Sequence, residues 1–181
     1  IPSNQKYFFL SKTSMDDEVL IPRIPDNFMT KNGYEDNTTP RVCFSKSIDG
    51  ALTALSRNLE GEELFVHIPD ESHKIYNPTI KEVPDKNITD EVWIKEKVNV
   101  RMIGKIKVLK AKPNGKDYTY GDNKKATIYF WNWKWLWRVD ENGKTIKEPI
   151  KESIVQEISA FDSDSKVMAN LNLSRLHKKT I

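Results

Sequence analysis

The side chains that most often carry out chemistry are few in this sequence and lie far apart. The three histidines are His67, His73 and His177, and none has a second histidine or a cysteine at the spacing of a zinc site. A phosphate-binding glycine loop, a G-x-S-x-G elbow and an H-E-x-x-H motif are all missing. The sequence therefore predicts no metal site and none of the standard catalytic motifs.

The single cysteine allows two interpretations. Cys43 lies in a predicted strand with a helix N-terminus shortly downstream, and such a terminus can lower the pKa of a thiol. The alternative is a small thiol buried in the core. One cysteine cannot form a disulfide within the chain, which favours a reducing compartment, and no apolar run of about 18 residues predicts a membrane span. We therefore expect a cytoplasmic location and no membrane partner.

The elements that would position reactive side chains centre on residues 41–59. Residues 41–44 have the β-branched and aromatic pattern of a short strand. Apolar residues then recur at helical spacing, and Ser47 precedes them as the predicted N-cap. The members of this helical stripe are Ile48, Ala51, Leu52, Leu55 and Leu59.

Further strands are predicted at residues 7–11, 63–69, 91–94 and 98–108. Residues 32–40 form a polar loop, which is either functional or an ordinary surface loop.

Residues 126–139 form an unusual strand, because alternation at period two places four tryptophans on one face. These are Trp131, Trp133, Trp135 and Trp137. Asn142 and Gly143 then favour a tight turn, and amphipathic helices are predicted from Pro149 and around Val167. We expect the two helices to cover the tryptophan face, with a homodimer seam as the alternative.

Together these elements predict one α+β domain over residues 1–181. Its sheet is mostly antiparallel, either continuous or split, with one internal helix after Ser47 and two C-terminal helices. Residues 1–110 supply a core of strands and a helix, and residues 111–181 supply the Trp-rich hairpin and the C-terminal helices. A chain of this size buries about 70% of its unfolded surface, which is enough for one core.

The net charge of +3 conceals an uneven distribution of charged residues. Residues 95–125 carry 10 basic and 3 acidic side chains, whereas residues 1–94 carry 10 basic and 16 acidic ones. A basic segment can bind phosphates, or it can be a solvated strand pair fringed with lysine. Lysine outnumbers arginine 23 to 6, although bidentate recognition of bases favours arginine. Nucleic acid is therefore not expected as a partner.

Four short motifs follow one another along the first part of the chain. They are FLSK at residues 9–12, VCFS at 42–45 entering a helix, LFVH at 64–67 and RMIGKI at 101–106. In order and pattern they resemble the strands of the rifampin ADP-ribosyltransferases and, more loosely, other small proteins of the ADP-ribosyltransferase fold. The resemblance covers just over half of the chain, and it implies NAD or a related nucleotide as ligand.

This resemblance is one of pattern and does not extend to the catalytic residues of the family. The family grips the cofactor ribose with a histidine of the first strand and places a tyrosine of the second strand near the nicotinamide. At those positions this sequence has Leu10 and Cys43. Leucine can neither donate nor accept a hydrogen bond, so this means of orienting the cofactor is missing.

The resemblance nevertheless implies a set of site residues. Glu91 is the candidate catalytic residue, because wider members of the fold place a glutamate near such a strand start and a carboxylate can stabilise an oxocarbenium-like ribose. Arg23 is the candidate clamp for a pyrophosphate, and Ser45 or Ser47 can hold a ribose hydroxyl. Each has a structural alternative: a capping or solvated Glu91, a surface ion pair of Arg23, a polar strand end at Ser45 and a helix cap at Ser47.

Three functions follow. The first is a divergent or degenerate ADP-ribosyltransferase that binds a nucleotide, with its status as an enzyme left open. The second is a non-catalytic protein-interaction module of phage or bacterial origin, because residues 22–25 and 41–48 also resemble small proteins of Gram-positive bacteria and their phages. The third is nucleic-acid binding through residues 95–137.

Overall fold

The computed structural model of the chain describes residues 5–120 and 124–146, with backbone alone over residues 114–120 and 124–130. The two predicted C-terminal helices lie outside the described residues. In chain order the elements are β1 (Phe9–Ser11), β2 (Val19–Leu20), α1 (Phe28–Lys31), β3 (Val42–Ser45), α2 (Ile48–Ala54), β4 (Glu63–Pro69), α3 (Lys86–Thr89), β5 (Glu91–Ile94), β6 (Val98–Tyr120) and β7 (Lys124–Val139).

The larger of two sheets has β6 near its centre. The strand order is β1, β4, β6 and β2, and β7 also pairs with β6. Every one of these pairs is antiparallel. The alternation predicted for β6 is confirmed, because Ile106 and Val108 are fully buried while Lys105 and Lys107 keep partial exposure. The division predicted after residue 110 falls inside β6, so that strand belongs to both predicted parts.

The smaller sheet consists of β3 and β5, which pair antiparallel. Phe8 and Ser45 exchange two backbone hydrogen bonds, of 2.7 and 3.0 Å, and this bridge joins the end of β3 to the chain just before β1. The predicted α+β class with a mostly antiparallel, split sheet is confirmed. The predicted helix after Ser47 is α2, and the described residues add two single-turn helices, α1 and α3, which the sequence did not predict.

The tryptophan face of β7 is covered by α2. Trp133 donates from Nε1 to Thr53 Oγ1 at 3.0 Å, and Trp135 donates from Nε1 to Asp49 Oδ1 at 2.7 Å. Trp133, Trp135 and Trp137 are 4%, 0% and 6% exposed. These three rings are core residues of the chain and are not a surface for a partner or for base stacking.

None of the helices in the described residues is long and apolar enough to cross a bilayer.

Candidate functional site

Backbone pairing brings three of the four predicted site residues to one side of β3. Ser45 lies directly opposite Glu91 in the pair of β3 with β5. On the other edge of β3, Arg23 and Arg41 exchange two backbone hydrogen bonds, of 3.1 and 3.0 Å. Residues opposite each other in an antiparallel pair project to the same side, and so do alternate residues of one strand. Arg23 and Glu91 therefore flank β3 on the face that carries Arg41 and Ser45.

That face of the small sheet is polar, whereas its other face is apolar. Val42, Phe44, Val92 and Ile94 form the apolar side and belong to a buried cluster with Val98 and Val100. The polar side contains Arg41, Cys43, Ser45, Glu91 and Trp93, which alternate with the apolar residues along the two strands.

The hydroxyl groups of Ser45 and Ser47 are engaged within the chain. Ser45 donates to the Thr89 carbonyl oxygen at 2.7 Å. Ser47 donates to Asp90 Oδ2 at 2.6 Å and accepts from the Gly50 amide at 2.9 Å, which confirms it as the N-cap of α2. Both serines are buried and hold the two residues that precede Glu91. These contacts position the Glu91 carboxylate, and neither serine hydroxyl is exposed to solvent.

Glu91 begins β5, as predicted, and its carboxylate is held in place. Trp93 donates from Nε1 to Glu91 Oε2 at 2.7 Å. Burial raises the pKa of Glu91 above its usual value, and the negative charge of Asp85 adds to the rise, whereas the Trp93 hydrogen bond and the positive charge of Arg41 oppose it. No local pattern in the sequence indicates this electrostatic setting.

Two further carboxyl groups share that setting, and neither is a candidate on the basis of sequence. Burial raises the pKa of Glu35 to about 8, with the charges of Glu91 and Asp85 adding to the shift and Arg41 opposing it. Burial also raises the pKa of Asp85. Glu35 lies in the polar loop for which the sequence allows either a functional or an ordinary role, and Asp85 lies in the segment before α3. Perturbed carboxyl groups of this kind are typical of functional sites.

Arg41 is the buried cation among these acids, with 1% exposure. Its Nη1 donates to the Asp36 and Thr39 carbonyl oxygens at 2.9 and 3.0 Å and forms an ion pair with Asp36 Oδ2 at 3.2 Å. Its guanidinium carbon lies 4.2 Å from the centroid of the Trp93 ring. Its Nε and Nη2 have no hydrogen-bond partner in the described part of the chain. From the sequence, Arg41 is only the start of a predicted strand.

The Trp93 ring is also part of an aromatic stack. Tyr76 stacks on Trp93 with ring centroids 5.3 Å apart, and Lys95 Nζ lies 3.6 Å from the Tyr76 centroid. Tyr76 and Trp93 exchange two backbone hydrogen bonds of 2.8 Å, which fix the two rings side by side. Because Trp93 pairs with Cys43, this stack lies at the middle of the polar face.

The remaining predicted features are placed differently. Burial raises the pKa of Cys43 to about 12, which favours the buried-thiol interpretation over a thiol of lowered pKa. His67 Nε2 accepts from the Met15 amide at 2.9 Å, which leaves its Nδ1 to donate to the Phe9 carbonyl oxygen at 3.2 Å. His177 lies outside the described residues, and no cluster of metal ligands occurs within the part of the chain that is described.

A shallow depression of about 440 Å³ begins at the residue after Arg23, and Glu91 is not among its lining residues. Its lining comes from the segment after Arg23, from the end of α1 and from the loop that follows α1. The lining residues are Ile24, Pro25, Asp26, Thr30, Lys31 and Asn37.

The chain matches no family model, no curated protein and no solved structure. Its function therefore has to be inferred from the arrangement of these side chains.

The raised pKa of Glu35 predicts a pH dependence of stability. In the unfolded chain Glu35 ionises near 4.5, whereas in the fold it keeps its proton up to about pH 8. The folded state therefore binds more protons, and its contribution to the free energy of unfolding falls as pH rises from about 4.5 to about 8. We expect the melting temperature of the wild type to fall relative to that of Glu35→Gln across this range and to level off above it.

Calorimetry of both proteins between pH 5 and pH 9 measures this difference. Burial lowers the pKa of His67, which acts in the opposite direction, but His67 is present in both proteins and cancels. Glu71→Gln, at an exposed glutamate, is the matched control. If the melting temperature of the wild type minus that of Glu35→Gln stayed constant from pH 5 to pH 8, this result would contradict the burial of Glu35.

Gly50 predicts a second effect on stability. A Cβ on this residue would overlap the Thr89 carbonyl oxygen and crowd Ser45 Oγ. An exposed helix would gain about 0.5–1 kcal/mol from a change of Gly to Ala. Here we expect Gly50→Ala to lower the free energy of unfolding by about 1–3 kcal/mol, because overpacking displaces the turn before β5. Urea denaturation measures the change in the free energy of unfolding. A gain in stability would rule out the close approach of Gly50 to Thr89.

Proposed function

We propose that the chain is a nucleotide-binding protein with an ADP-ribosyltransferase-like arrangement. The ligand is NAD or a related nucleotide, and its two ends contact Arg23 and Glu91. The observation that carries the proposal is the pairing of Arg23 with Arg41 and of Ser45 with Glu91 across opposite edges of one short strand.

The spacing of these residues suits an extended ligand. Arg41 and Ser45 are four positions apart in the sequence, which is about 13 Å along the strand. Arg23 and Glu91 lie one strand to either side of β3, about 10 Å apart across the sheet. Their backbones are thus about 16 Å apart along the diagonal. This separation is that of the two ends of a dinucleotide and exceeds the size of a single base.

The chemistry of the two residues supports the same proposal. Arg23 is exposed, and a guanidinium group binds pyrophosphate oxygens with parallel hydrogen bonds. Glu91 is half-buried, and a raised pKa such as it has is typical of carboxyl groups that bind or react. A cationic nicotinamide ring or an oxocarbenium-like ribose beside Glu91 would favour the carboxylate form and lower that pKa again.

We propose nucleotide binding only, because two residues of the family pattern are missing from this chain. Leu10 and Cys43 stand where the family has a histidine and a tyrosine, so the interactions of those two residues with the cofactor are missing. Ser45 and Ser47 hold Thr89 and Asp90, and their part in the proposed site is to position Glu91. Any ADP-ribosyl transfer by this chain would depend on Glu91.

Calorimetric titration with NAD, ADP-ribose and ADP tests the nucleotide proposal. We expect saturable binding that weakens at least tenfold in Arg23→Gln, which removes the bidentate phosphate interaction, and in Glu91→Gln, which cannot ionise. Arg57→Gln is the matched control, because Arg57 is an exposed arginine paired with Glu62. A ligand at 100 times its dissociation constant should also stabilise the fold by about 2.7 kcal/mol.

The absence of binding heat and of thermal stabilisation with all three ligands would rule out the nucleotide proposal. Equal weakening of binding in Arg57→Gln would rule out the assigned site.

Protein interaction is the second candidate function, and the apolar segment around β2 and α1 favours it. Val19, Ile21, Ile24 and Phe28 are between 38% and 67% exposed. Exposed carboxylates flank the segment at Asp16, Asp17, Glu18 and Asp26. An apolar surface with an acidic border suits a partner segment that is apolar with basic flanks.

Selection from a random 12-residue peptide library tests this candidate. We expect enriched peptides to combine apolar with basic residues, because both the exposed apolar patch and its acidic border would be matched. Their binding should disappear in Ile21→Asp/Phe28→Asp and persist in Leu55→Asp/Ile80→Asp, which alters two exposed apolar residues outside this segment. Enrichment of acidic peptides, or an equal effect of both variants, would contradict it.

A further inference from the structure

The hairpin of β6 and β7 extends beyond the sheet to which it belongs. Pairing of β4 with β6 ends at Glu63 and Lys107, and the segment before β4 makes its last contact with β6 where the Ala111 amide donates to Glu60 Oε1 at 3.1 Å. From there β6 and β7 continue to pair until Tyr120 meets Lys124. We call residues 112–120 and 124–132 the ribbon.

The ribbon is long and narrow. Nine residues in each strand correspond to about 30 Å of extended chain. Within the described residues, no third strand pairs with either edge of the ribbon. Its width is set by two strands about 4.8 Å apart. The ribbon is thus a projecting arm. Among the described residues, its two strands pair only with each other.

The positive charge of the chain is concentrated in this hairpin. Residues 110–134 carry six lysines and two aspartates, whereas the rest of the chain carries 23 basic and 24 acidic side chains. The hairpin therefore has a charge of +4 and the remainder a charge of −1. A local excess of one sign attracts a polyion of the opposite sign.

Two lysines at the base of the ribbon face each other. Lys110 and Lys134 are cross-strand partners. Like charges directly opposite in an antiparallel pair destabilise it. Within the described residues, Lys110, Lys112 and Lys134 form no ion pair with a carboxylate. A bound polyanion would relieve this repulsion.

We propose that the ribbon is a binding site for double-stranded DNA. Its two strands lie in the major groove, and their positive charge attracts the phosphates. The major groove of B-form DNA, about 12 Å wide, admits a two-stranded β-ribbon, whereas the major groove of A-form RNA is too narrow and deep. This inference is independent of the proposed nucleotide site, which lies on the small sheet.

The residue types of the hairpin define the mode of binding. Residues 110–134 contain no arginine, and lysine acts on phosphates as a point charge without the fork that reads guanine. Binding is therefore independent of base sequence. A scarcity of arginine argues against sequence-specific recognition but leaves phosphate binding intact, and the shape of the hairpin supplies the fit to the groove.

Fluorescence anisotropy of the full chain with a labelled 20-base-pair DNA duplex of mixed sequence tests the proposal. If four ribbon lysines each neutralise one phosphate, the logarithm of affinity should fall with the logarithm of KCl concentration at a slope of about −3.6. A duplex of scrambled sequence should bind equally, and a double-stranded RNA of the same length should bind at least tenfold more weakly.

Matched variants locate the binding site. The ribbon set is K112Q, K116Q, K124Q and K125Q, and the control set of exposed lysines is K6Q, K46Q, K74Q and K81Q. Both sets change the net charge equally. We expect the ribbon set to bind at least tenfold more weakly at 100 mM KCl and to flatten the salt slope by about one unit for each phosphate that is no longer neutralised. The control set should keep its affinity within about twofold.

A third variant tests whether weaker binding by the ribbon set results from the loss of charge or from the loss of the hairpin structure. Replacing the same four lysines with arginine keeps every charge, so binding should persist. Four results would each overturn the proposal: no binding at 50 mM KCl, equal weakening in both glutamine sets, no binding by the arginine set, or equal affinity for RNA. Concentration-dependent dimerisation through the ribbon without DNA binding would also overturn it and assign the edges to a second copy of the chain.

Discussion

The polar face of the small sheet depends on the burial of one positive charge, that of Arg41. An isolated buried guanidinium would cost several kcal/mol, so its surroundings must compensate it. Asp36 supplies an ion pair, Asp36 and Thr39 supply carbonyl oxygens, and Trp93 supplies a ring face. Asp36 itself is ionised readily, because hydrogen bonds from Thr38 and Thr39 outweigh its partial burial and lower its pKa. The loop after α1 is thereby tied to β3.

Burial sets the protonation of the carboxyl groups around this cation. It is the largest cause of the raised pKa of Glu35, Asp85 and Glu91, and Arg41 lowers the pKa of Glu35 and of Glu91 only in part. One buried positive charge, already paired with Asp36, does not offset the loss of water around these carboxyl groups. Glu35 therefore holds a proton at neutral pH that it would release in water.

The helix α2 links this polar face to the rest of the core. At its start, Ser47 and Gly50 contact the turn before β5, while Asp49 and Thr53 accept hydrogen bonds from the tryptophans of β7. The strands, the helix and its cap could be predicted from the sequence, because these depend on local periodicity. The burial of Asp49 and Thr53 could not, since their partners are at least 80 residues away. For the same reason Glu35, Arg41 and Asp85 resemble ordinary loop and strand-end residues in the sequence, whereas Glu91 is a candidate only through a family resemblance.

The proton held on Glu35 bears directly on the proposed ligand. With Glu35, Asp36, Asp85 and Glu91 all ionised, the face would carry four negative charges against the two positive charges of Arg23 and Arg41, and it would repel a pyrophosphate. With Glu35 protonated at neutral pH, as a pKa of about 8 requires, that excess falls to one charge. Burial also raises the pKa of Asp85 and of Glu91, which reduces the excess further. The same acids can thus lie beside a phosphate-binding arginine with less repulsion of its ligand, and a cationic ring or ribose beside Glu91 would favour its carboxylate form.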